Sequence, residues 1–224
     1  SNQGYPILKW QAGSDEPDPD QPAVDPDGWD GHTATPPAQE NGIYQISTAA
    51  ELKWFVNRVN AGETSLSAKL TKDIDISSDN WYPIGITDGY SGTFDGSGKT
   101  VKYALTASDK AEQGFFAVIE GTGIVKNLIV DGTVKISGNN AEYVGGIAGR
   151  VLSNSTTAVS KSYNTGKVQG NKFTGGITGS LYDGGTIDSV YNTGEVIADQ
   201  TAGGLLGEFR YGSMKSAYTI GTIS

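Results

Sequence analysis

The chain has 224 residues, a net charge of −9, 32 glycines, no cysteine, one histidine and one methionine. That length holds one large domain or two small ones, and a glycine-rich, charge-poor composition fits a turn-rich β protein and argues against a helical bundle. Without cysteine there are no disulfide staples and no thiolate zinc sites, and the longest apolar runs, such as Leu128-Ile129-Val130, are strand-sized and too short to span a membrane.

The charge is concentrated at one end. Eight acids (Asp15, Glu16, Asp18, Asp20, Asp25, Asp27, Asp30, Glu40) and one base (Lys9) precede residue 41, a net −7, so the remainder carries only −2. No basic face is available to displace phosphate counterions, which excludes nucleic acid as the expected partner. The chain shows no signal peptide, and its Ser1-Asn2 start reads as a cloning remnant, so an address is expected to have been removed.

In chain order, residues 1–10 contain the apolar segment Tyr5-Pro-Ile-Leu-Lys-Trp10, read either as the tail of a preceding module or as an edge strand of this domain. Residues 11–40 read as an acidic, proline-rich linker: seven of the eight prolines fall within the first 37 residues, and like charges favour an extended, self-repelling chain. A capping α-helix is predicted over 48–60. Thr48 and Glu51 have capping-box spacing, Leu52, Phe55, Val56 and Val59 share one face, and Asn60-Ala-Gly62 supplies the stop. Short β-prone runs follow, among them Ala68–Ile76, Gly92–Phe94, Thr100–Leu105 and Ile124–Val130.

Internal repeats carry the fold prediction. Gly145-Gly-Ile-Ala-Gly149 returns as Gly175-Gly-Ile-Thr-Gly179 and Gly203-Gly-Leu-Leu-Gly207, at spacings of 30 and 28 residues. Each is followed by a second element: Val159 to Val168, Ile187 to Val196, and Met214 to Ile223. A degenerate copy runs from Gly114-Phe-Phe-Ala117 through Val125 to Val134. Short strands at this period predict a solenoid, whereas ankyrin or TPR units need two helices that paired glycines oppose. Residues 41–224 are therefore expected to form an all-β, right-handed parallel β-helix, with rungs about 4.8 Å apart and the helix seated before the first coil, covering its edge.

Stacking would place Ile147, Ile177 and Leu205 in one inner column, Val125, Val159, Ile187 and Met214 in another, and Val134, Val168, Val196 and Ile223 in a third. Tyr163, Tyr191 and Tyr218 would form a ladder, as would Asn164 and Asn192. The glycines at 132, 166, 194 and 221 are expected in turn conformations closed to residues bearing a Cβ.

These residues resemble the GLUG-motif repeats of large bacterial surface proteins and of the repeat regions of some secreted peptidases. GGIAG, GGITG and GGLLG match best, then the two Tyr-Asn-Thr-Gly segments. The lead-in of helix, Asp73-Ile-Asp75, Trp81-Tyr-Pro-Ile-Gly85 and Gly92-Thr-Phe-Asp-Gly-Ser-Gly98 is also similar. The resemblance covers about residues 41–224. It departs at Tyr218-Thr-Ile-Gly221 and at residues 114–117, which lack the double glycine. It implies a parallel β-helix, an extracellular or cell-surface, adhesin-like setting, and a multi-module parent whose arrays close in a segment like Tyr5–Trp10.

Candidate chemistry is sparse. Asp73, Asp75, Asp79, Asp88 and Asp95 cluster in the lead-in, and Asp73 and Asp75 would point to one side of a strand, yet Asp95-Gly-Ser-Gly98 also reads as a plain turn. Three arginines (Arg58, Arg150, Arg210) lie far apart in sequence, and no coil gathers the acid, base and charge stabiliser of a polysaccharide lyase or glycosidase. A single histidine (His32) cannot build His-Glu-x-x-His zinc chemistry or two-histidine sites. Asp25, Asp27 and Asp30 would suit calcium, but their spacing is not that of an EF-hand, and solvated linker is the default.

No catalytic, cofactor or metal residues are therefore assigned. The expectation is a non-catalytic repeat module, adhesin-like or a spacer, monomeric within a larger protein, whose partners would be a host or cell-surface protein or glycan. The alternative is a carbohydrate-binding or polysaccharide-cleaving β-helix. Limited proteolysis should cut within residues 11–40 first and leave a compact core beginning near residue 40; uniform resistance along the chain would contradict the linker assignment.

Overall fold

The computed structural model describes residues 33–106, 110–137, 140–153, 157–182 and 184–224. Tyr5–Trp10, His32 and the calcium candidates Asp25, Asp27 and Asp30 lie outside the described residues.

The chain is a parallel β-solenoid with one helix, and each complete coil visits four sheets in turn. One such coil runs Ile124–Lys126, Ile129–Lys135, Tyr143–Gly145 and Ala148–Ser153. The next runs Val159–Ser160, then Tyr163–Asn164 with Lys167–Gly170, then Phe173–Gly175 and Thr178–Leu181. Every strand pairing between successive coils is parallel. The first sheet has eight strands, from Ala38–Glu40 to Ser213–Lys215, as many as the second. The lead-in is thus part of the same solenoid as the repeats.

The predicted columns are present in register. Val125, Val159, Ile187 and Met214 stack, as do Val134, Val168, Val196 and Ile223. Ile147, Ile177 and Leu205 follow one another through backbone bonds of 2.9 Å from each N–H to the next carbonyl. Tyr163, Tyr191 and Tyr218 form the ladder, with centroids 3.9 and 5.2 Å apart. The Asn164 side-chain amide donates to Asn192 Oδ1 at 2.8 Å inside the core.

The first column extends upstream through Phe94, Ala68 and Tyr44. There the core becomes aromatic: Phe55, Trp81, Tyr90, Phe94, Tyr103, Phe115 and Phe116 are all buried. Trp81 stacks on Phe115 at 4.8 Å, and Phe115 precedes Phe116 just as Ile147 precedes the paired Ala148. The degenerate copy at 114–117 therefore belongs to the same stack and is filled with aromatic side chains. Each polar tip is satisfied, with Trp81 Nε1 donating to the Phe115 carbonyl, Tyr90 to Leu66 and Tyr103 to Gly146, as burial of such groups requires.

Four expectations change. The glycines at 132, 166, 194 and 221 do not take left-handed conformations. They are small because the neighbouring coil lies against them: a Cβ on Gly132 would lie 2.5 Å from the Tyr103 ring, and one on Gly166 would lie 2.0 Å from the Gly132 carbonyl oxygen. Asn164 closes this site by donating to the Gly166 carbonyl at 2.8 Å and accepting from its N–H at 3.2 Å. Left-handed backbone falls instead on Asn127, Lys161, Ser189 and Ser216, one per coil, where the chain turns from the first sheet into the second. That corner also divides the predicted run Ile124–Val130 into two strands. Ala68–Ile76 is likewise divided, into Ser67–Leu70 and Ile74–Asn80.

Third, the linker does not extend to residue 40. Ala38–Glu40 pairs antiparallel with Ile43–Ile46, and the Thr35 N–H donates to the Ala50 carbonyl at 3.0 Å. Asn41 and Gly42, with φ of 51° and 79°, form the tight hairpin that an Asn-Gly pair favours. Fourth, the helix does not precede the first coil. Ala49–Asn60 is inserted after the strand Ile43–Ile46 and before Ser67–Leu70. Its capping box is formed as predicted, with Glu51 N–H donating to Thr48 Oγ1 at 3.2 Å and the Glu51 carboxylate accepting from Thr48 N–H at 3.1 Å.

Leu52, Phe55, Val56 and Val59 are buried against the solenoid core, and Phe55 packs edge-on to Tyr90 and tilted to Phe94. The helix therefore covers the first end of the stack. Phe55→Ala should cost about 3–5 kcal/mol. Replacing Leu52 and Phe55 together by Asp should lower the melting temperature and expose the end to aggregation. An unchanged melting curve with a monodisperse protein would show that the helix is not the cap.

Candidate functional site

The outward faces hold the candidate chemistry. On the second sheet, Asp75, Lys102 and Asp131 are consecutive register partners, an alternating column of charge. Asp73, Asp75, Lys102 and Asp131, with Thr100, Ile129 and Thr165, line an open groove of about 520 Å³. Asp73 and Asp75 thus do share one side, as their spacing predicts. Asp95 lies at the neighbouring corner, in a second groove of about 470 Å³ with Lys69, Asn127, Lys161 and Tyr163. Asp88 is on a different face, beside Glu112, Glu120 and Arg150, and Asp79 is exposed near the end of the strand Ile74–Asn80. The five lead-in carboxylates do not converge.

Their bonding is that of turns and corners. The Thr100 N–H donates to Asp73 Oδ1 at 2.8 Å, tying two coils together. Asp75 accepts from the Ser77 hydroxyl at 2.6 Å and the Ser77 N–H at 3.0 Å. The hydroxyl bond is the main reason its pKa is lowered; partial burial opposes this, and the Ser77 N–H and the Lys102 charge assist it. At Asp95 burial acts upward, but the Asn127 amide at 2.9 Å, the Ser97 N–H at 2.8 Å and the Lys126 ammonium at 3.5 Å together hold its pKa below the ordinary value. A glycosidase acid needs the opposite shift, a carboxyl kept protonated near neutrality. Neither of these two carboxyls is prepared for that role.

The three arginines are engaged elsewhere: Arg58 with Glu63, Arg150 with Glu112 and Arg210 with Glu208. None of them lines the Asp73 groove. Among the described residues, no group of three metal-ligating side chains gathers, and no helix is long and apolar enough to cross a membrane.

Two further outward features matter. Lys126, Ser160, Asp188 and Lys215 occupy one column, as the repeats predict, and it continues upstream through Asp95, Lys69 and Gln45. A patch not anticipated from sequence lies on the third and fourth sheets. Tyr143 stacks on Phe173 at 5.6 Å, with the Arg150 guanidinium 4.7 Å over the Tyr143 ring. Lys172 bonds Glu142, and this bond lowers the Glu142 pKa and raises that of Lys172. The available signal was positional, since Tyr143 and Phe173 each stand two residues before the first glycine of a repeat. The third repeat has Thr201 there, which hid it.

Replacing Asp95 by Ala removes charge-assisted bonds to Ser97, Asn127 and Lys126 and should cost about 1.5–3 kcal/mol at neutral pH. Because the folded-state pKa is depressed, this stabilisation is present above the unfolded value of about 3.9 and disappears as pH falls through the lower folded value. Urea unfolding should thus separate the wild type from D95A at pH 7, with the gap narrowing below about pH 4. A gap that is independent of pH would exclude this ionic role.

No known protein-family profile matches the chain. Among solved structures it is similar to a crystal structure from Bacteroides ovatus described as a "putative immunoglobulin A1 protease". That match has 18% identity and a TM-score of 0.56, covering 79% of this chain and 74% of the other. At that identity the likeness is one of fold.

Proposed function

We propose that this chain is a non-catalytic repeat module of a larger bacterial secreted or cell-surface protein, adhesin-like or a spacer that projects another domain. The observation that carries this reading is the form of the outward surface. Its side chains repeat rung after rung, from the Gln45–Lys215 column to the tyrosine ladder, and produce a long ribbon of mixed charge. The three tyrosines cover one another's faces at 3.9 and 5.2 Å, so they act as a rib and leave little free ring face on which a sugar could stack. The resemblance to GLUG-motif repeats supports the surface setting. The name of the Bacteroides ovatus protein suits a β-solenoid working beside a secreted peptidase, in which case the catalytic domain lies outside this chain.

A second reading, a glycan-binding or glycan-cleaving β-helix, draws on the Asp73, Asp75 and Asp131 groove. Its lining contains no aromatic side chain, and the carboxylate pKa shifts resolved at Asp75 and Asp95 favour the ionised form, which disfavours general-acid catalysis. Incubation with a panel of acidic and neutral polysaccharides should release reducing ends or unsaturated products only at background. Turnover that disappears in Asp73→Asn, Asp75→Asn or Asp95→Asn would overturn the first reading in favour of the second.

A further inference from the structure

Three lysines far apart in the sequence are brought to the corner between the first and second sheets. Lys69 and Lys126 stand on either side of Asp95 in the outward column of the first sheet. Lys161, with φ of 47°, is the left-handed residue at which the next coil turns into the second sheet. The groove of about 470 Å³ at this corner is lined by Lys69, Asp95, Ser97, Asn127, Lys161 and Tyr163. Its lining crosses four successive coils, with Lys69 in the first and Lys161 in the fourth, three steps of about 4.8 Å apart. Beside Gly98, nothing lies within 4 Å of the place a Cβ would take, so the groove is open there.

The one acid of the groove is already satisfied. Asp95 accepts from the Asn127 amide at 2.9 Å and the Ser97 N–H at 2.8 Å, and the Lys126 ammonium lies 3.5 Å from its second oxygen. Lys69 and Lys161 are exposed and have no carboxylate in ion-pair range among the described residues, unlike Lys126, Lys167 and Lys172. The groove thus carries two uncompensated positive charges in a chain of net charge −9. Ammonium groups set at a fixed spacing by the coils, in a recess of their own sign, attract anions and hold them by charge-assisted hydrogen bonds.

We infer that this groove binds a short acidic oligosaccharide lying along the solenoid axis, with the anionic group of one sugar on Lys69 and that of another on Lys161. The inference rests on the adhesin-like form of the proposed function. Three features select this ligand. The rest of the lining is hydroxyl and amide, from Ser97, Asn127 and Tyr163, which suits sugar hydroxyls and offers no apolar pocket for a protein's anchoring side chain. The backbone of the corner is already bonded from coil to coil: the Gly96 and Gly98 N–H groups donate to the Lys126 and Asn127 carbonyls, and the Lys161 N–H to that of Asp188. A peptide strand therefore finds no edge to extend. The basic stretch is also short, because Asp188 follows Ser160 in the outward column and Asp73, Asp75 and Asp131 line the neighbouring groove. A nucleic acid, which depends on many phosphate contacts, would meet those carboxylates.

Isothermal titration of the whole chain at low ionic strength tests the inference. Tetragalacturonate and a sulfated carrageenan tetrasaccharide carry the two kinds of anionic group. Saturable binding of at least one of them is expected, the stronger showing which anion the groove prefers, and maltotetraose should not bind. Lys69→Gln and Lys161→Gln together should raise the dissociation constant about tenfold or more, with the circular dichroism spectrum unchanged because both side chains are exposed. High salt should weaken binding in the same direction. Lys135→Gln, at the exposed end of the strand Ile129–Lys135, should have no effect.

Failure of both acidic tetrasaccharides to bind at millimolar concentration would overturn the inference. Equal binding of maltotetraose would exclude recognition by charge, and binding indifferent to the lysine pair would exclude this groove. A single-stranded oligodeoxynucleotide of the same charge should not compete; displacement by it at equal concentration would assign the lysines to phosphate anions instead. The non-catalytic reading is tested separately, by polysaccharide turnover, so a chain that neither binds nor cleaves would lose this site and remain a spacer.

Discussion

Backbone-to-backbone contact between coils is the constraint on which the rest of the molecule depends. In the motif Gly145-Gly146-Ile147-Ala148-Gly149 the chain leaves the third sheet and enters the fourth, and its glycines lie against three different neighbours. A Cβ on Gly145 would meet the Ala148 carbonyl at 2.1 Å, one on Gly146 the Gly176 carbonyl at 2.6 Å and the Asn164 amide at 2.7 Å, and one on Gly149 the Gln113 nitrogen at 2.5 Å. Gly175, Gly176 and Gly179 repeat these contacts one coil later. The third and fourth sheets are thus pressed together without side chains between them, and Ile147, Ile177 and Leu205 are aimed into the core by the turn that joins them. Any shift of register would break these contacts together with the hydrogen-bond ladders, and the columns follow from that lock.

Along the axis the solenoid fills its interior by two means. The first coils enclose a packed aromatic cluster, with Phe94, Phe115 and Phe116 at mutual centroid distances of 5.4 to 6.0 Å. In the later coils the column of Ile74, Val101 and Val130 gives way to Asn164 and Asn192. A buried amide is acceptable there because each asparagine serves the backbone of the glycine two residues on and Asn164 also bonds Asn192. A satisfied polar column is rigid and specific in register, whereas an isolated buried amide would be destabilising. The aromatic coils carry the helix, and the asparagine column runs through the later coils to Thr219.

The polar surface is largely committed to holding this stack. Asp73, Asp75 and Asp95 bond the backbone of their own turns or of the next coil, and the arginines pair with glutamates nearby. Such groups stabilise corners whose left-handed residues, Asn127 and its successors, are costlier than glycine would be. What remains for contact with a partner is the repeated face itself, a ribbon with shallow grooves, together with the Tyr143–Phe173 patch and its basic neighbours.

Much of this was legible in the sequence, because a solenoid turns sequence periodicity directly into spatial stacking. The repeat spacing determined which residues superpose, from Val125 to Met214 and from Tyr163 to Tyr218, and the Thr48–Glu51 pair determined the helix start. The candidate carboxylates were legible only as a cluster along the chain, and three dimensions separated them onto different faces. The linker boundary was misplaced because the proline and acid pattern runs up to the Asn41-Gly42 hairpin, whose strand has no periodicity of its own. Tertiary structure alone decided why Gly132, Gly166, Gly194 and Gly221 are glycines and that the helix interrupts the first coil. Those features depend on distances between chain segments about thirty residues apart, where local propensity carries no information and only the packing of one coil on the next sets the available space.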